Sequence, residues 1–320
     1  MSQSSLPLVS VIITTFKRPN LVPVAIQSVL SQTLKEIELI VVVDGPDNLP
    51  TVEVLEKITD PRFRFVVLPV NMKLGKARNQ GGQLAKAPWI AFLDDDDIWM
   101  PEKLERQLKL ANQSDYTYPI VSSRFIAETS RGDFIWPRRF PRAEETIGDY
   151  LFVRRSMTQG EGMLLPSTLL VPRELLTRVP FDLDRAEDFD WLLRVDALAG
   201  VGVEFVSEPM VTWHLHESGL PRLSQTDEWK DLLGLIQSLE FLVSAQTYAA
   251  FIVTCVSPPA AAGRNWNAFW MLLKEFAIVG KARPFDYIFF LFVWLVPRDL
   301  RHRIRQLLSY QKAKETVAIN

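Results

Sequence analysis

LVSVIITT at Leu8–Thr15, an unbroken apolar and β-branched run halted by the polar stretch Lys17–Asn20, decides the fold. Such a run reads as a strand buried on both faces. Just beyond it, Val22, Ile26, Val29 and Leu30 recur at helical spacing within Leu21–Gln32, and IELIVVV at Ile37–Val43 reads as a second buried strand. The βαβ pattern continues with a helix around Val52–Ile58, a strand at Phe63–Leu68, a helix around Lys76–Ala87 and a strand at Trp89–Leu93. Alternation of this kind predicts an α/β fold with a mostly parallel central sheet flanked by helices. Ligands of such sheets lie beyond the carboxyl ends of the strands, so three strand ends stand out: Thr14-Thr15-Phe16, Asp44-Gly45 and Asp94–Asp97.

The middle, from about Tyr116 to Gly162, is rich in Arg, Pro and aromatic residues without a clear period, and reads as strands and long loops. Leu164–Val171, a turn, a helix at Asp188–Leu198 and strands at Val203–Phe205 and Pro209–His216 follow. From Asp227 the pattern is helical almost throughout. The 36 Lys and Arg balance 38 Asp and Glu to a formal charge of −2, which removes the global basic footprint of a nucleic-acid binder. Cys255 stands alone, and Met1–Pro7 lacks the basic and apolar parts of a secretory signal, so a cytoplasmic location is expected.

Four consecutive aspartates after an apolar strand repel one another and call for a counter-charge. A divalent metal supplies one, and hard carboxylate oxygens favour Mg2+ or Mn2+, whose shell water and substrate phosphate complete. The plainer alternative is a solvated turn in which Asp97 caps a helix at Pro101–Leu110. Asp44 suits hydrogen bonding to a base or ribose, or else an ordinary Asp-Gly turn. Lys76 and Arg78 stand near a helix start, where cations and backbone N–H groups favour phosphate. This is not a Walker loop, because Val70 and Ala77 occupy the places of its first Gly and its Ser or Thr. No dinucleotide fingerprint follows the first strand either.

Taken in order, VSVIITTFKRPN (Val9–Asn20), IVVVDG (Ile40–Gly45), GKARNQG (Gly75–Gly81), AFLDDDDIWMPEKL (Ala91–Leu104) and AEDFDWLLR (Ala186–Arg194) resemble glycosyltransferase family 2 over roughly the first two thirds of the chain. The family is inverting and has the nucleotide-sugar-binding fold called GT-A. The resemblance implies that Thr14 and Phe16 line a base pocket, that Asp44 and Arg78 hydrogen-bond the base, and that Asp95 and Asp96 hold ribose, metal and diphosphate with Asp94 in support. Val43 departs from the family, which often has a second acid there, so the base is not identified; UDP is the family-weighted choice. Asp188, of the pair Glu187-Asp188, would be the general base, taking the acceptor hydroxyl proton as that oxygen attacks the anomeric carbon. Without the resemblance, both acids read as a helix cap. Trp99 and Trp191, with Glu187, are candidates for the acceptor side, the two rings reading equally as core. His214 and His216 lie where the family often has a His; His216 matches better as a metal ligand, or else is a half-buried strand residue.

A GT-A catalytic domain is therefore expected at 1–225, with its nucleotide part at about 8–110 and its acceptor part at about 111–225. A helical extension at 226–320 follows. In it, the uncharged run Tyr287–Val296 is too short to span a bilayer, and Arg298, Arg301, His302, Arg303 and Arg305 come directly after it. Two readings of 284–306 stand side by side: attachment to the cytoplasmic face of a membrane, or a helix buried on the catalytic domain or in a homodimer. The expected donor is a nucleoside-diphosphate sugar and the acceptor a saccharide or a lipid-linked one. The rivals are a nucleotidyltransferase, although Thr15–Asn20 has no Gly to form a triphosphate loop, and a non-catalytic nucleotide-sugar-binding module.

Overall fold

The computed structural model describes residues 6–129, 132–157, 161–214, 228–297 and 300–301. They form two compact units, 1–140 with 164–218, and 141–163 with 219–320. In chain order, the first begins β1 (Val9–Thr15), α1 (Val22–Leu30), β2 (Ile37–Val43), α2 (Leu49–Leu55), β3 (Phe63–Val67), α3 (Leu74–Leu84) and β4 (Trp89–Asp94). It continues through β5 (Ile98–Trp99), α4 (Lys103–Ala111), β6 (Tyr118–Thr129) and β7 (Gly132–Trp136). The chain then enters the second unit with α5 (Ile147–Phe152), and returns for β8 (Leu170–Pro172), α6 (Arg173–Arg178), α7 (Glu187–Asp196) and β9 (Val201–His214).

Among the described residues the strands make one sheet, ordered β3-β2-β1-β4-β8-β6-β9-β5, with β7 added to β6. The β3-β2-β1-β4 part is parallel throughout. All seven residues of β1 and of β2 are buried, as expected for strands with helices on both faces. Beyond β4 the sheet becomes mixed: β8 runs antiparallel to β4 and β6, while β9 runs parallel to β6. Helix α3 lies close on β1, for a Cβ at Gly81 would come within 2.5 Å of Ile12 Cγ2.

Several elements differ from the pattern reading. Helix α2 starts at Leu49, earlier than Val52, because Asn48 ties the preceding turn through Nδ2 to the Gly45 carbonyl (2.8 Å) and Pro50 begins the helix. The turn expected between Val171 and Asp188 contains α6, which buries Leu175 and Leu176. Instead of two strands with a break, β9 is continuous, and Pro209 is accommodated at a register shift opposite Arg124. The middle segment holds a helix, α5, capped by the Thr146 side chain.

The second unit continues with α8 (Glu228–Ser238), α9 (Ala245–Phe251), a π-helical turn (Ile252–Val256), α10 (Ser257–Ala262), α11 (Trp266–Ile278) and α12 (Pro284–Leu295). The aromatic rings of α11 and α12 meet in Phe269–Phe290 (5.2 Å) and Phe276–Tyr287 (5.1 Å) contacts. No helix among the described residues is long and apolar enough to cross a membrane.

Candidate active site

Parallel register sets Thr14 beside Asp94, so the first acid of the cluster leaves the sheet at the carboxyl edge, where β1 and β2 also end. The next three acids turn away from the strand, and protein cations meet two of them. Arg18 Nη1 donates to Asp95 Oδ1 at 2.7 Å and to Asp96 Oδ2 at 2.9 Å, while the Thr15 hydroxyl donates to Asp95 Oδ2 at 2.6 Å. Arg78, only 2% exposed, donates to Asp94 Oδ1 at 2.7 Å and to Glu187 Oε1 at 3.0 Å. Its guanidinium, 109 residues from Glu187 in sequence, thus joins the end of β4 to the start of α7. Burial opposes the charge of Arg78, but Asp94 and Glu187 outweigh it and raise the pKa further. The counter-charge demanded by the aspartates is therefore already present as two arginines.

Burial dominates the titration of the acids. It pushes Asp95 up to about 6, although Arg18 and the Thr15 hydroxyl oppose the shift. Asp97 stands well above the usual carboxylate range, chiefly through burial and the nearby Asp94. Its Oδ1 has no hydrogen-bond partner among the described residues. The capping role does not survive: α4 has Glu102 at its N-cap, and β5 lies between Asp97 and that helix.

Helix α7 begins at Glu187 after Ala186, which adopts a left-handed backbone (φ 50°) unfavourable to a residue with a Cβ. Glu187, Asp188 and Asp190 crowd the first turn. Asp188 keeps some contact with solvent, yet enough protein surrounds it that burial, with Glu187 beside it, lifts its carboxyl to about 6 against the pull of Arg78. A carboxylate with that pKa is suited to receive a proton near neutral pH.

The other residues singled out by sequence separate clearly. Phe16 is 42% exposed beyond β1, and Thr14 is buried beside it. Asp44 is buried and takes the backbone N–H of Met72 (2.6 Å) and of Lys73 (3.0 Å), clamping the loop before α3; Gly45, at φ 101°, makes the turn that allows this. Arg78 is likewise engaged by acids and not open for a base. Trp99 and Trp191 are core residues, 3% and 1% exposed, with their indole N–H groups bound to the carbonyls of Ser167 and Val179. Phe181 stacks on Trp191 at 5.1 Å, and Lys103 Nζ lies 3.9 Å over the Trp99 ring, which otherwise borders a hollow beside α1. His216 lies outside the described residues. Its neighbour His214 sits with Nδ1 2.8 Å from the Asp96 carbonyl and Nε2 3.3 Å from Glu128 Oε2.

Three contributors were not singled out from sequence: Arg18, Ser167, whose hydroxyl accepts the Asp94 N–H at 3.1 Å, and Glu128. A signal existed only for Arg18, a cation four residues after Thr14 in the loop that ends β1. Among the described residues no group of three or more His, Cys, Asp or Glu is arranged as a metal site. Asp96, whose side chain is 30% exposed, nevertheless suits Mg2+ or Mn2+ beside the buried Asp95, and the Arg18 guanidinium that bridges the two already stands there as a cation. A separate open hollow of about 440 Å³ between α1 and β5, lined by residues such as Val24, Gln27 and Ile98, contains no titratable group.

The family model described as "Glycosyl transferase family 2" matches residues 10–178, more than half of the chain. The chain belongs to glycosyltransferase family 2. The matched span runs from β1 through α6 and carries all four aspartates; Glu187 and Asp188 lie beyond it. Relatives include an uncharacterized glycosyltransferase of Methanocaldococcus jannaschii, 29% identical over 197 residues, covering 59% of this chain and 64% of that one. Another is WfgD of Escherichia coli, named as a UDP-Glc:α-D-GlcNAc-diphosphoundecaprenol β-1,3-glucosyltransferase. It is 31% identical over 133 residues, covering 41% of this chain and 52% of WfgD. The chain thus spans between half and two thirds of the length of these two relatives. In fold it is similar to TarS of S. aureus in complex with UDP-GlcNAc, with a TM-score of 0.64 at 17% identity over 93% of this chain and 91% of that one.

Proposed function

We propose that the chain is an inverting glycosyltransferase that takes a sugar from a nucleoside-diphosphate donor, UDP being the first choice of base. The observation that carries this reading is the Arg78 bridge, which brings Asp188's helix to the Asp94–Asp96 cluster at one sheet edge. Phe16 would stack on the base with Thr14 beneath it, and Asp95 would face the ribose. Asp188 takes the proton of the acceptor hydroxyl; that oxygen bonds to the anomeric carbon as the bond from that carbon to the donor diphosphate breaks, and the configuration inverts. Asp96, supported by Asp94, would hold Mg2+ or Mn2+, which when bound neutralises the leaving diphosphate. Glu187 orients α7 through Arg78.

Product analysis with a panel of nucleoside-diphosphate sugars tests the proposal. Free nucleoside diphosphate supports it, pyrophosphate indicates a nucleotidyltransferase, and no product with retained binding indicates a binding module. In a thermal shift assay, UDP with Mn2+ raises the melting temperature of the native protein and not of Asp96→Asn.

The second unit favours a lipid-linked acceptor and attachment to a cytoplasmic membrane face, both part of the same proposal. Helix α12 exposes Tyr287, Ile288, Leu291 and Leu295, a stripe with no charged group, and α11 exposes Trp266, Trp270 and Ile278. Trp270 is 67% exposed and Ile288 58%. Arg264, Lys274 and Lys281 are exposed on the same or adjoining segments, and the chain continues into Arg298, Arg303 and Arg305. Apolar and aromatic anchors among cations suit an anionic bilayer surface. Flotation with phosphatidylglycerol vesicles supports this; a protein that stays unbound and sediments as a dimer assigns the stripe to a second copy.

A further inference from the structure

Arg18 carries an inference that rests on the donor-site reading and goes beyond it. Its main chain is held: the carbonyl accepts the N–H groups of Leu21 and Val22 at 3.3 Å as α1 begins, and the Lys17 N–H donates to Asn48 Oδ1 at 2.5 Å. Its side chain is 41% exposed, so the head group can turn while its base stays fixed. Only Nη1 is engaged among the described residues, and it bridges Asp95 and Asp96 alone. The remaining guanidinium donors are open, and their planar fork matches phosphate oxygens.

We infer that Arg18 has two stations: the Asp95–Asp96 pair while the site holds no nucleotide, and the diphosphate of a bound donor once those carboxylates turn to a divalent cation. Arg18 is then both a diphosphate-binding residue and a competitor of the cation for the same oxygens. A guanidinium on the acid pair weakens cation binding in the nucleotide-free protein. A diphosphate that draws it away relieves that competition, so cation and nucleotide bind with positive coupling. A plain structural ion pair has neither property.

The test is Mn2+ binding to the nucleotide-free protein, read by the electron paramagnetic resonance of free Mn2+, and UDP binding at saturating Mn2+, read by calorimetry. Arg18→Ala should tighten Mn2+ and weaken UDP, each by roughly tenfold, the scale of one charged contact. Arg18→Lys, which keeps the charge without the fork, should fall between and decides the matter if the alanine variant does not fold. Unchanged or weaker Mn2+ binding in the variants, or unchanged UDP binding, overturns the inference. Wild-type protein that binds no UDP sinks the donor-site reading and the diphosphate station with it. Normal wild-type binding with unaltered variants sinks the two stations alone.

Discussion

The carboxyl edge of β1, β2 and β4 and the outer faces of α11 and α12 depart from ordinary burial in opposite ways. At the sheet edge, charges are drawn inside: Arg78, Asp95, Asp97 and Glu187 are all buried, and most are stabilised by opposite charge or by hydroxyl and amide donors. On the helices, apolar groups are left outside, where Trp266, Trp270, Ile288 and Leu295 meet solvent. The first departure raises the pKa of Asp95, Asp97 and Asp188, as the proposed proton transfer requires; the second leaves apolar area whose burial against the proposed bilayer would be favourable. Substitutions at the two places should therefore read out differently, turnover and pH dependence at one, association at the other.

The largest effect should come from Asp188→Asn, which removes the proposed proton acceptor while keeping the shape. Turnover should drop by about 10²–10⁴-fold with donor binding retained, measured by nucleoside diphosphate release. If turnover persists, Asp188 is not the general base. Arg78→Met should destabilise the fold by about 3–5 kcal/mol in urea unfolding, because Asp94 and Glu187 would lose their shared buried cation. A loss below 1 kcal/mol would mean that water can replace it.

The pH dependence has a definite sign. Asp188 rises from 3.8 to about 6 on folding, so its protonated form is favoured in the native state. Its contribution to stability is full below about pH 4 and is lost as pH rises through about 6, while its action as a base requires the ionised form and grows over the same interval. Activity should increase through pH 6, and Asp188→Asn should exceed the native protein in stability at pH 8 by roughly 3 kcal/mol, the two converging near pH 4. Calorimetry across that range would show it; equal stability at pH 8 would contradict the buried ionisation. The smallest effect on folding belongs to Trp270→Ser with Ile288→Ser, about 0.5 kcal/mol or less, because both side chains are already exposed. The same pair should abolish most flotation with anionic vesicles.

The strands β1 to β4 and the helices between them were legible because a two-sided buried strand needs a continuous apolar run and a covering helix needs its 3.6-residue period; both are local patterns. Asp94–Asp96 were legible for a related reason, since a strand end in a parallel sheet is a position known from order alone. Less legible were α5, α6 and β5, short elements whose register depends on partners: β5 exists because Ile98 and Trp99 pair with Thr212 and Val211. Trp99 and Trp191 illustrate the same limit, as their rings look available in sequence and are enclosed in the fold.

What the sequence by itself determined is the alternating α/β plan, the acidic strand end and the family resemblance, because hydrophobic period and motif order survive without coordinates. Only the tertiary structure decided that Arg18 and Arg78 neutralise the aspartates, that Asp44 clamps the loop before α3 while Phe16 stays open, and that Asp188 is lifted to about 6. Charge pairing and desolvation depend on which distant segments meet and how much water they exclude. Those are properties of distances in space, and a one-dimensional pattern holds none of them.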